Sequence, residues 1–222
     1  MRAIFEFGKF GRLRFISHLD LQRFIMRAFR RTELPVAYSH GFNPHPQLSF
    51  ASALAMGWAS NVELMDVKLT ENVDPEWALK QMQSALPPEM PVHRCRLVDD
   101  RHDALMARLE MADYTVDLSG KDKDRLLAFI PEYMNMTEVM AIRKTKSSER
   151  EINIRPLTVN LTSEGDTLCM RLMLTPENTL KPELLISKLC ELCGAEDVEL
   201  FITRRSLLGK DENGNVIPLF DL

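Results

Sequence analysis

The sequence predicts an α+β protein made of two similar halves, each with an antiparallel sheet. Two observations carry this: the first hundred residues run strand, helix, strand, strand, helix, strand, and the same order returns more loosely after about residue 104. That order is the one found in the split βαβ, or ferredoxin-like, unit. A third observation permits it: 222 residues, 45% hydrophobic and 27% charged, suffice for two small domains with cores of their own.

The first half divides as follows. Residues 2–8 alternate apolar and polar as a strand. Ser17 opens a helix, with Asp20 three residues on as a capping-box variant, and Pro35 ends it by about residue 33. Residues 48–55 and 62–70 read as strands around a turn at Gly57. Asp74-Pro75 starts a second helix as N-cap and first residue, Pro87-Pro88 stops it, and 91–98 returns as a strand. In the second half a strand over 112–118 precedes a helix over 121–133. Strands at 137–145, 152–161 and 167–174, one more than the simple unit needs, lead to a helix over 181–193 and a strand over 198–203. The divisions expected are 1–100, 104–208 and a tail, 209–222, that forms a hairpin or a docked extension around a turn at Asn213-Gly214.

Charge is uneven. The chain has 28 Lys and Arg against 32 Asp and Glu. Residues 1–50 reverse that balance: Arg2, Lys9, Arg12, Arg14, Arg23, Arg27, Arg30 and Arg31 face only Glu6, Asp20 and Glu33. Such asymmetry puts an electrostatic footprint on one region, and arginine suits bidentate phosphate contacts. On a helical wheel Leu21, Phe24, Ile25, Ala28 and Phe29 share one face, while Arg23, Arg27, Arg30 and Arg31 share the other with Asp20. A solvated charged face is the plain alternative. The scarcity of acids and the nearby Lys9, Arg12 and Arg14 favour a phosphate-binding surface. His18 falls on the apolar side in the first turn and reads first as a half-buried residue that fixes the helix entry.

The segment Tyr38-Ser39-His40-Gly41-Phe42-Asn43-Pro44-His45-Pro46 follows. Its prolines force Asn43 and His45 into extended backbone, and Gly41 permits a turn. It presents Tyr38, His40, Phe42, Asn43 and His45 with little entropy left to lose on binding. Rings stack on bases and Asn reads base edges. The plain alternative is a rigid connector.

Residues 14–69 contain FISHLD, RR-x-x-LP-x-AYS-x-GFNPHP and S-x-x-E-x-x-D in order. They closely resemble the signature of a bacterial radical SAM-associated domain family of unknown function, which occurs alone or fused behind a B12-binding radical SAM module. Asn153-Ile154-Arg155-Pro156-Leu157 and Thr203-Arg204 look like its second half. The resemblance implies partnership with a radical SAM enzyme in RNA modification or processing and implies no particular reaction. The duplicated order also looks like that of RNA-processing proteins of CRISPR systems, which is fold analogy alone.

Other chemistry finds little support. Cys190-x-x-Cys193, late in an amphipathic helix with Cys169 distant, does not supply the three close cysteines of a radical SAM cluster. Phosphate-binding glycine loops are missing. Zinc through His40 and His45 needs partners from elsewhere, such as His18 or Cys95. No cofactor and no metal are therefore expected. Four scattered cysteines, an N-terminus that reads as a strand and no apolar run near the roughly 20 residues of a membrane span point to a cytoplasmic protein away from membranes. Three readings stand: a non-catalytic RNA-binding module that delivers substrate to a radical SAM enzyme; a metal-independent RNA endonuclease using His18, His40 or His45 as acid and base; and a scaffold that binds protein only.

Overall fold

A computed structural model describes residues 1–144 and 149–222. The chain forms two compact units, Met1–Leu109 with Gly209–Leu222, and Glu110–Leu208. The architecture is α+β with antiparallel strand pairing in each unit. No helix among the described residues is long and apolar enough to cross a membrane.

The first unit runs β1 (Arg2–Lys9), α1 (His18–Phe29), β2 (Leu48–Phe50), β3 (Ala59–Lys68), α2 (Pro75–Ala85), β4 (Val92–Val98) and the single turn α3 (Leu105–Arg108). Its sheet order is β4-β1-β3-β2, compatible with a split βαβ unit. Ala3, Phe5 and Phe7 on one face of β1 meet Leu21, Ile25, Ala28 and Phe29 of α1 and Ala78 and Met82 of α2. Phe5 and Phe29 pack edge to face at 6.2 Å, and Phe24 is half-buried against the same core. The opposite face of β1 is buried too: Ile4 is fully enclosed, and Glu6 beside it accepts from Arg94 at 3.0 and 2.6 Å. The C-terminal tail packs there, with Leu219 and Phe220 buried, the Arg94 guanidinium 4.1 Å above the Phe220 ring and Asp221 bonded to Arg94 at 3.0 Å.

In the first unit two boundaries differ most from the sequence reading. The first helix ends at Phe29, not near residue 33. Thr32 donates its backbone N–H and its hydroxyl to the Phe29 carbonyl, at 3.1 and 2.8 Å, and closes the last turn early. The strand expected over 48–55 stops at Phe50, since past Ala51 the chain leaves β3 to bury Leu54 and turn at Gly57.

The second unit runs β5 (Met111–Ser119), α4 (Lys123–Asn135), β6 (Met140–Lys144), β7 (Glu149–Asn153), β8 (Thr158–Glu164), β9 (Thr167–Met173), α5 (Pro182–Cys193) and β10 (Glu199–Lys210); the tail, which belongs to the first unit, holds the short β11 (Val216–Pro218). Its sheet order is β10-β5-β9-β8, again compatible with the split unit once the β6–β7 pair is set aside as an insertion. The strand expected over 152–161 is therefore two strands. Between them Leu157 donates to the Ile154 carbonyl and Thr158 to Arg155, at 3.1 and 3.2 Å, around Pro156, which has no N–H for a ladder. The final residue of the strand expected over 137–145 lies outside the described residues. β10 continues well past residue 203 because Leu207 and Leu208 remain buried beyond a bulge at Arg205.

Candidate nucleic-acid interface

The site is built on α1. Ser17 caps the helix, accepting the Asp20 N–H at 3.2 Å while its hydroxyl donates to the Asp20 carboxylate at 2.7 Å. This sets the helix so that Leu21, Ile25 and Phe29 face the sheet and Arg23, Arg27 and Arg30 face water. The arginines are not equivalent. Arg23 pairs with Asp20 at 3.3 Å, both ends exposed, a contact of small worth. Arg31 donates to the Arg27 carbonyl at 3.2 Å and the Ala85 carbonyl at 2.7 Å. It thereby satisfies carbonyls at the C-terminal ends of both α1 and α2. The side chains of Arg12, Arg27 and Arg30 are exposed and make no hydrogen bond or ion pair among the described residues. Arg12 and Arg31 line one cleft together with Leu13 and Phe24. Arg14 is half-buried and lies over the Phe15 ring at 4.6 Å.

Lys9 departs from its expected place among the exposed cations. It is fully buried, with its Nζ 3.4 Å from the Ile16 carbonyl. The apolar stem follows Phe5 and Phe7 along the inward face of β1, and the ammonium group is carried inside with it. Arg2 is also engaged, holding Asp66 through Nε at 3.0 Å to each carboxylate oxygen.

The segment after α1 is a hairpin. Val36 bridges to Leu69 and Tyr38 to Pro46. Gln47 N–H meets the Ala37 carbonyl at 2.9 Å and Ser39 N–H the His45 carbonyl at 2.8 Å. The Ser39 hydroxyl accepts His45 N–H at 3.1 Å and lies 2.9 Å from His45 Nδ1. The tip, residues 40–45, is exposed; Gly41 adopts φ +120°, and Phe42 stands fully in solvent at 105% relative exposure. Tyr38, His40, Asn43 and His45 are exposed around it.

At the hairpin root, Gln22 of α1, His45, Gln47, Ser49, Lys68, Arg2 and Asp66 line a second cleft. Four of these, Gln22, Gln47, Ser49 and Lys68, were not among the candidates from sequence, because isolated polar residues carry no periodic or charge signal.

The three histidines occupy different settings. His18 is half-buried with its ring edge-on to Phe50 at 5.2 Å, and its Nδ1 is buried without a hydrogen bond. His40 lies in the tip and His45 at its neck. No hydrogen bond among the described residues joins any two of them. Burial pushes the Cys95 thiol up to about 12 and raises Cys190 as well, which keeps both poor nucleophiles near neutral pH. Among the described residues no three His, Cys, Asp or Glu side chains converge as a metal site.

Several signature residues lie inside the protein. Ser60, Glu63 and Asp66 are all buried. Asn153 Oδ1 accepts from Val139 N–H at 3.0 Å and Arg155 N–H at 3.2 Å, and Arg155 donates to the Met134 and Thr158 carbonyls at 2.9 and 3.0 Å. These contacts tie the base of the β6–β7 insertion to α4 and β8.

No curated protein matches the chain. Among solved structures it is similar to the crystal structure of an unknown protein from Galdieria sulphuraria, at 12% identity over 91% of this chain and 97% of that one. The TM-score of 0.27 is too low to bear on fold or function. Residues 2–182 match the family described as an uncharacterized protein conserved in bacteria, DUF2344, and the chain belongs to that family.

Proposed function

We propose that this protein is a non-catalytic RNA-binding module, with α1 holding phosphates and the 36–47 hairpin contacting bases, and that it presents RNA to a radical SAM enzyme in the cytoplasm. The observation that carries the reading is the unbalanced face of α1: Arg27 and Arg30 are exposed without partners among the described residues, with Arg23 beside them. Like charges at helical neighbour spacing cost a few tenths of a kcal/mol per pair, and a phosphate backbone removes that cost. The fully exposed Phe42 on a hydrogen-bonded hairpin supports base contact, because an aromatic held in water gains from any flat partner. The enzyme partner rests on the resemblance of residues 14–69. No hydrogen bond among the described residues joins any two of the three histidines, and His18 is half-buried, which favours recognition over proton transfer.

The test is RNA affinity as a function of salt. Neutralising about four phosphates gives a log–log slope near −3 for single strands, and Arg27→Ala with Arg30→Ala flattens it by about 1.4. Salt-independent binding, or none at low salt, moves the protein to the scaffold reading. Discrete cleavage of RNA by metal-free protein, abolished by replacing one histidine, moves it to the nuclease.

A further inference from the structure

We propose that the cleft between α1 and the hairpin root receives a nucleobase, so the RNA taken by this protein is unpaired where it is bound. The inference rests on the RNA-binding reading and names its substrate class. The cleft is open to solvent, with a volume of about 430 Å³, and Gln22, His45, Gln47 and Ser49 line it.

Its chemistry differs from that of the arginine face. Arg2 is engaged by the buried Asp66, and Lys68 lies 4.0 Å from Asp100. Charge there is largely balanced, so the cleft has little to offer a phosphate. What it offers is planar groups with both a donor and an acceptor. Gln22 is half-buried and its carboxamide makes no hydrogen bond among the described residues. Its amide oxygen and nitrogen stay open to solvent, so a base can replace water there on both the donor and the acceptor side. Ser39 and the Asn43 carbonyl, at 2.9 and 3.4 Å from His45 Nδ1, fix that imidazole with its other nitrogen available. Gln47 donates to the Tyr38 carbonyl at 3.1 Å, which leaves its amide oxygen to accept. Donor and acceptor edges of this kind match the edge of a base.

The place of the cleft in the chain agrees. Gln22 immediately precedes Arg23, and His45 lies three residues beyond Phe42, so the cleft joins the arginine row to the exposed ring. In an RNA duplex the bases are paired and stacked, and the deep, narrow major groove closes their edges to side chains. A nucleotide that fills this cleft is therefore single-stranded.

Anisotropy of three labelled RNAs with the full chain tests this: a short single strand, the same strand with abasic sites, and its blunt duplex. The single strand is expected to bind about tenfold tighter than either of the others. Gln22→Ala is expected to lower only the single-strand affinity, by about threefold to tenfold, at unchanged melting temperature. Phe42→Ala, at a position with no packing to lose, should show the same selectivity. Equal affinity for all three RNAs overturns the base cleft and leaves the phosphate-binding reading standing. Failure of all three to bind overturns that reading and the cleft with it.

Discussion

The helices α1 and α4 hold the same place in two units of the same strand order, and their buried faces are alike. Leu21, Ile25 and Phe29 do in α1 what Leu126, Ile130 and Tyr133 do in α4. Their outer faces are not alike. Arg23, Arg27 and Arg30 project from α1, whereas α4 mixes Asp124, Arg125 and Glu132, with Lys123 held by Asp166 at 2.5 Å and Arg125 bonded to the Gly194 carbonyl at 2.9 Å. The cations of α4 are bonded within their own unit, while the Arg27 and Arg30 side chains of α1 make no hydrogen bond or ion pair among the described residues. Order and apolar period decide where a helix packs, and the residues between the apolar ones decide what the helix is for.

The largest effect expected from breaking this comparison is on the shared core. Phe29→Ala should cost about 3–5 kcal/mol and Ile130→Ala about 2–5 kcal/mol, measured by urea unfolding, with RNA contacts at neither site. A loss below 1 kcal/mol at Phe29 would mean that α1 is not seated on its sheet as described.

The next effect separates the outer faces. Arg27→Ala with Arg30→Ala should weaken RNA binding by about tenfold or more near 0.1 M salt, and Lys123→Ala with Arg125→Ala should leave it within about twofold. The comparison breaks if the second pair matters as much as the first. A further control lies on the second unit's own cleft, where Arg143, Lys144 and Lys181 are grouped. Loss of RNA binding in Lys144→Ala with Lys181→Ala would relocate the interface.

The helix starts differ more subtly. Ser17 caps α1, and Ser17→Ala should cost about 1 kcal/mol at neutral pH. Asp122 precedes α4 without capping it. Its carboxylate accepts the N–H groups of Asp197 and Glu196, each at 2.9 Å, and these bonds hold its pKa below the ordinary value. A depressed carboxylate contributes stability above its unfolded pKa and loses it as pH falls through the folded one. Asp122→Asn should therefore lower the melting temperature at neutral pH, and the gap to the natural protein should close as the solution is made acidic. A gap that widens in acid would reverse this assignment.

The sequence by itself determined the packing face of α1, both proline-bounded starts of α2 and α5, and the strand-helix order of the first half, because these depend on spacing along one element or on local backbone limits. It also marked 38–46 as a stiff exposed segment, since two prolines constrain that backbone wherever it sits, while Gly41 permits the turn. Only the tertiary structure decided which charges remain available. Lys9 is adjacent in sequence to the exposed cations and goes inside because both faces of β1 are covered; Arg31 turns to two helix ends because α2 stops beside it. The cleft of Gln22, Gln47 and Lys68 was equally illegible, since its walls come from α1, the hairpin and β3, far apart in the chain. Local rules fix the direction of a side chain, but whether it meets water or a partner depends on elements that pack against it from elsewhere in the chain.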